Sequence, residues 1–173
     1  MVITNIMIVK KIIRGIYYKF LPFEKQAKRA GVVLGENNRI ATRFWSSEPY
    51  LITIGSNCSI TKGVRMFTHG GNRVFRSQMF DFDVFGKVKI GNYVYIGTNA
   101  LIMPGVVIGD NVLVAAGSVV TKSIPPKVVV GGNPARIICT IDEYKNKISK
   151  YNIHTKGMSA VEKKKILLSM DDS

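Results

Sequence analysis

An aliphatic residue returns at every sixth position from Ile90 onward: Ile90, Ile96, Ile102, Ile108, Val114 and Val120. Glycine follows three of the first four (Gly91, Gly97 and Gly109). The side chain four places after each is small or aliphatic: Val94, Ala100, Val106, Val112, Ser118 and Ile124. A period of six fits neither the roughly 3.6-residue repeat of a helix nor the alternation of one strand. It requires a chain that makes a short strand, turns a corner and starts again, stacking coils into a solenoid. Three hexads close one coil of a triangular prism, with the aliphatic side chains stacked inside. Corners need residues that tolerate positive φ, and Gly91-Asn92 and Gly109-Asp110-Asn111 are expected to supply them.

The ladder has a beginning, a break and an end. It starts weakly at Leu34-Gly35 and Ile40, loses phase from Arg43 to Pro49, and recovers at Ile54, Ile60 and Met66, with Cys58 and Val64 in inward slots. Between Met66 and Ile90 only Val84 with Val88 reads as a hexad, so residues 67–83 are expected to interrupt the solenoid, either extruded as a loop or replacing part of a coil. Pro125-Pro126 removes two backbone donors and should end the strand pairing. Residues 128–139 read as a strand, a tight turn and a return strand. Three regions follow: an N-terminal helical arm over 1–31, broken near Leu21-Pro22; a β-solenoid over 32–139; and a helical tail over 140–173 with a break at Gly157. Exposed solenoid ends invite strand pairing, and the two flanking regions would cap them.

Net charge is +14, and it is uneven. Residues 1–31 hold seven Lys/Arg against one acidic residue, residues 32–139 eleven against five, and residues 140–173 seven against five. Such an excess favours an anionic partner: nucleic acid, an acidic membrane surface or a phosphorylated ligand. The arm, with Ile6, Ile8, Ile12, Ile13 and Ile16 among Lys10, Lys11, Arg14 and Lys19, could lie on an anionic leaflet or pack against a coil or a neighbouring subunit. No run approaches the roughly twenty apolar residues that span a bilayer, and the arm lacks a signal-peptide cleavage site. Two cysteines without a CxxC pattern suggest reduced thiols and a cytoplasmic protein. Two histidines and two cysteines, all isolated, give no metal-ligand spacing, and no metal is expected. A nucleic-acid role finds no motif and no aromatic stacking platform to support it.

The run from Ile90 to Asn111, the stretch Val114-Ala-Ala-Gly-Ser-Val-Val-Thr-Lys-Ser-Ile-Pro-Pro126 and the segment Gly132-Asn-Pro-Ala-Arg136 together resemble the hexapeptide-repeat acyltransferases. Ser47-Glu-Pro-Tyr-Leu-Ile-Thr-Ile-Gly-Ser-Asn57 and Gly63-Val-Arg-Met-Phe-Thr-His-Gly-Gly71 are similar to the branch that acetylates sugars of capsules and lipopolysaccharide. The resemblance covers roughly residues 34–139. It implies a mainly β protein, a left-handed parallel β-helix that is a homotrimer with active sites at the subunit interfaces. It also implies acetyl-CoA as co-substrate and a sugar or glycan precursor as acceptor, through a hydroxyl or, as an alternative, an amine. That branch often carries Asp directly after the His, where this chain has Gly70, so any role of that carboxylate is absent here or supplied elsewhere.

Acetyl transfer to a hydroxyl needs a base for the hydroxyl proton, donors for the tetrahedral oxyanion and a hold on CoA. His69 is the expected general base: it sits where the regular coils give way to the loop, next to two glycines that leave room for substrate. The resemblance carries cofactor binding onto Thr98, Ala116, Thr121, Lys122 and Arg136, with an oxyanion donor near Gly97-Thr98. Glu48 and Asn72, with Arg73 and Arg76, are candidate acceptor contacts. His154 falls in the tail with no assigned chemistry. The competing reading is a non-catalytic β-helix scaffold or binding module.

Overall fold

Among the described residues, thirteen short parallel strands and one return strand build three sheets. The computed structural model describes residues 20–170. Strands β1 (Val33–Leu34), β4 (Ile52–Ile54), β7 (Val88–Ile90) and β10 (Val107–Ile108) form sheet one. Sheet two holds β2 (Arg39–Ile40), β5 (Ser59–Ile60), β8 (Tyr95–Ile96), β11 (Leu113–Val114), β13 (Val128–Gly132) and the antiparallel β14 (Ala135–Thr140). Sheet three holds β3 (Phe44–Trp45), β6 (Arg65–Met66), β9 (Leu101–Ile102) and β12 (Val119–Val120). Each coil visits the three sheets in turn, giving a left-handed parallel β-helix of triangular section.

The hexad residues line its interior. Ile96, Ile102, Val114 and Val120 are fully buried, and so are the small residues Ala100 and Ser118 in the slots between them. Ile102 is in register with Met66 on one side and Val120 on the other, so like side chains stack from coil to coil. Truncating it leaves a gap that neither neighbour can fill. Ile102→Ala is expected to cost about 2–5 kcal/mol in urea unfolding, against less than about 1 kcal/mol for Val107→Ala on the outer surface.

The corners obey a rule different from the expected one. Of the expected corner residues Asn111 has positive φ (55°), but Gly91, Asn92 and Gly109 do not; that conformation falls on the third residue after the aliphatic position, as also at Asn57 and Tyr93 (φ 60 and 56°). The glycines are needed for space. A Cβ on Gly91 would lie 2.8 Å from the carbonyl carbon of Gly109, and one on Gly109 would lie 2.6 Å from the backbone nitrogen of Pro126. Coils approach closely at these points, and any side chain would force them apart.

Both irregular segments lie on one edge of the prism, between sheets three and one. The phase loss near residue 45 does not abolish a strand, because β3 forms and pairs with β6; the surplus residues become a single 3₁₀ turn, Pro49–Leu51. The larger break leaves the coil later than expected. Phe67 N still donates to Ile102 O, and the loop is pinched where Gly86 N donates to Thr68 O (2.7 Å) and His69 bridges Phe85. Val84 is therefore no hexad residue: it is half exposed in the loop, whereas Val88 is buried in β7. Ile54 pairs with Ile90, thirty-six residues on, where Ile90 pairs with Ile108, eighteen on. The loop thus adds one coil's worth of chain without shifting the stack.

Helix α1 (Phe23–Ala30) begins just after Pro22 and ends on Gly31, with Ala27 packed into the core at the first coil. The rest of the N-terminal arm expected over 1–31, with its basic apolar face, lies outside the described residues. After β14, capping boxes at Thr140 and Ser159 start α2 (Ile141–Ser149) and α3 (Ala160–Leu168), with Gly157 in the link between them.

Candidate active site

The two irregular corners on the three–one edge are stacked, and each delivers one member of an ion pair. Glu48 follows β3 and is lifted by the 3₁₀ turn; His69 follows β6 in the next coil. His69 Nδ1 lies 2.6 Å from Glu48 Oε2, with the side chains 35% and 17% exposed. A carboxylate can only accept, so Nδ1 carries the proton and Nε2 is left with a free lone pair. Thr68 Oγ1 donates to the same carboxylate oxygen at 2.8 Å, and Ser46 Oγ stands 3.4 Å from Nδ1. The Phe85 ring packs tilted against the imidazole, centroids 5.6 Å apart. Desolvation pushes the Glu48 carboxyl upward, but the hydrogen bonds from Thr68 and His69 and the imidazole charge outweigh it, so its pKa is held below the usual glutamate value.

The pair opens into a cleft of about 390 Å³ lined by Ser47, Gly70, Gly71, Asn72, Arg73 and Arg76, with Asp83 and Phe85. A Cβ at Gly70 or Gly71 would meet nothing within 4 Å, so the floor beside His69 is open. Glu48, expected as an acceptor contact, lines the cleft and also partners the imidazole. Asn72 lines the cleft but is buried, its amide nitrogen donating to Asp83 Oδ1.

The residues expected to hold the cofactor divide between two edges. Thr121 and Lys122 follow β12, on the same three–one edge as His69 but two coils further on. Thr98 and Ala116 follow β8 and β11, on the edge between sheets two and three. Arg136 belongs with them: β14 pairs it with Gly131, whose ideal Cβ would lie 3.1 Å from Ala115 Cβ. Thr98 opens into a separate cleft of about 500 Å³ with Arg43, Phe44 and Lys62. One copy of the chain therefore does not bring His69 together with Thr98, Ala116 and Arg136.

Thr68 and Ser46 were not singled out as site residues. Thr68 had a readable signal, because it continues the inward alternation from Met66 and a buried hydroxyl needs a partner. Ser46 had none. His154 lies in a hollow between Arg39 and the 151–167 segment that contains none of the expected site residues. Cys58 is buried and its Sγ donates to Gly91 O (3.1 Å); burial pushes the thiol up, which suits packing and not acyl transfer. Among the described residues no cluster of three His, Cys, Asp or Glu could hold a metal, and no helix is long and apolar enough to cross a membrane.

Residues 87–122 match the family described as bacterial transferase hexapeptide (six repeats). Over 150 residues the chain is 45% identical to protein CapG of Staphylococcus aureus, covering 84% of this chain and 87% of that protein. It is 38% identical over 119 residues to the galactoside O-acetyltransferase of Escherichia coli K12, covering 63% of this chain and 57% of that enzyme. A galactoside acetyltransferase solved in complex with coenzyme A superposes with a TM-score of 0.53 at 29% identity, covering 71% of this chain and 72% of the other. With a hexad ladder, three parallel sheets and this extent of identity to CapG, the chain belongs to the hexapeptide-repeat acetyltransferases.

Proposed function

We propose that this acetyltransferase moves an acetyl group from acetyl-CoA to a hydroxyl of a sugar or glycan precursor, with His69 as general base. The observation that carries the reading is the Glu48–His69 pair, one imidazole nitrogen anchored and the other free, at the mouth of an open polar cleft. In the reaction the acceptor oxygen attacks the thioester carbonyl as Nε2 takes its proton. The tetrahedral intermediate then collapses, the carbon–sulfur bond breaks, and the imidazolium returns the proton to the leaving thiolate. Glu48 favours the transient imidazolium and keeps the ring in one tautomer.

The galactoside acetyltransferase solved with coenzyme A supports the co-substrate, and the galactoside O-acetyltransferase of E. coli supports a sugar acceptor. The division of the expected groups between two edges supports an assembly of copies. In a trimer, the three–one edge of one copy would face the two–three edge of the next. His69 would then meet Thr98, Ala116 and Arg136 of the neighbour, and the oxyanion donor near Gly97-Thr98 would also come from that side. Thr121 and Lys122 would approach the CoA phosphates from the His69 side. The solenoid over 32–139 acts in this reading as the acetyl-transfer domain, flanked by the arm and the tail, in the cytoplasm where acetyl-CoA is available.

Titration calorimetry with CoA separates this from a non-catalytic β-helix module. Binding in the micromolar to low millimolar range is expected, and no heat at millimolar CoA would sink the transferase reading. The interface site has its own check. Mixing inactive His69→Ala with a Thr98→Trp variant that blocks the opposite edge should restore part of the thiol release, because mixed trimers regain an intact interface.

A further inference from the structure

The cleft beside His69 carries cationic groups that transfer to a neutral hydroxyl does not use. Backbone bonds from Val74 to Gly71, Phe75 to Asn72 and Arg76 to Arg73 wind residues 71–76 into tight turns, in which side chains three apart eclipse. Arg73 and Arg76 therefore stand side by side, and both line the cleft with His69. The carboxylates there are already engaged. Glu48 takes hydrogen bonds from His69 and Thr68, and Asp83 takes one from the amide of Asn72. Arg76 and Asp83 form an exposed ion pair at 3.9 Å, beyond hydrogen-bond range and weak at a solvated surface. Asn72, 8% exposed, leaves its Oδ1 without a hydrogen-bond partner. Two neighbouring guanidiniums repel one another, and their planar forks match the paired oxygens of a carboxylate or phosphate.

We propose that Arg73 and Arg76 are the anion-binding half of the acceptor site, so that the acceptor is an acid-bearing sugar. Its carboxylate or phosphate lies on the guanidinium pair while a ring hydroxyl reaches His69 Nε2. A cleft of about 390 Å³ has room for such a sugar of one or two rings. The inference rests on the acetyl-transfer reading for the hydroxyl, but the anion site can be tested without turnover.

The chain has two histidines, so ring resonances in a carbon–proton NMR spectrum report on His69 once His154→Gln has assigned the other. Glucose, glucuronate and glucose 1-phosphate are titrated into the full chain. The acidic sugars are expected to move the His69 signals at about tenfold lower concentration than glucose, the size of effect a charge-assisted contact brings. The glucuronate and phosphate arms tell carboxylate from phosphate recognition. In Arg73→Gln/Arg76→Gln the preference should vanish while the melting temperature holds, since both side chains are exposed. Equal response to glucose, or a preference that survives the double substitution, overturns the proposal. So does a rise in KM for acetyl-CoA absent with acetyl-dephospho-CoA, because the pair would then serve the cofactor phosphate. Ring shifts with acidic sugars but no thiol release from acetyl-CoA would sink the transfer reading and leave the anion site standing.

Discussion

Replacing His69 by alanine is expected to lower kcat by about 10²–10⁴-fold, the usual contribution of a positioned general base. The KM for acetyl-CoA and the calorimetric affinity for CoA should stay within a factor of a few. The separation follows from the proposed division of roles, in which Thr98, Ala116, Thr121, Lys122 and Arg136 hold the cofactor and His69 acts on the acceptor proton. The folding consequences should be small: the ring is about a third exposed and packs on Phe85 at the loop neck, outside the buried ladder. Steady-state thiol release and circular dichroism on the same sample distinguish the outcomes. Turnover within tenfold of the parent would remove His69 as the base.

Glu48→Gln should cost on the order of 10²-fold or more in kcat, because an orienting carboxylate sets both the tautomer and the stabilisation of the imidazolium. A glutamine keeps the shape but can offer its NH₂ to Nδ1, which would favour the tautomer with the proton on Nε2 and remove the free lone pair. Two readouts separate this positioning role from general damage. Nitrogen-15 shifts of the His69 ring should move toward the other tautomer, and Glu48→Asp, which retains the charge, should recover part of kcat. Acid should act in the same direction. Folding holds the Glu48 pKa below the value of the unfolded chain, so its contribution to stability is complete above the ordinary glutamate range and is lost as pH falls through its lowered value. An unchanged ring tautomer in Glu48→Gln would place Glu48 among merely structural residues.

The frame was legible in the sequence because its period has one physical solution. Aliphatic side chains six apart must share an interior, and Ile96, Ile102 and Val114 do. The glycines were read with the right location and the wrong cause: local φ arguments see one coil, while the constraint on Gly91 and Gly109 comes from the backbone of the next coil. Val84 misled for a related reason. An aliphatic residue at the right spacing says nothing about whether the chain is still coiling, and a loop of one coil's length preserves the phase of the count. Glu48 and His69 were both singled out, but their pairing was not, since twenty-one positions separate them and no periodicity spans two irregular corners. The division of Thr98 and Ala116 from Lys122 follows from counting corners around the prism and was open to the hexads alone, whereas Arg136 is placed by the return strand β14.

The pinch at Thr68 and Gly86 makes the inserted segment a cassette. Above and below it, strands β4 and β7 are in register as though nothing lay between β6 and β7. Loop-closure cost grows slowly with length, by about 0.6 kcal/mol per doubling, so a segment held at its neck can lengthen, shorten or change composition with little penalty to the stack. In such an architecture the lining of the cleft can drift by exchanging one excursion at a time, while the His69 imidazole, seated at the cassette's own root, goes on meeting the same carboxylate.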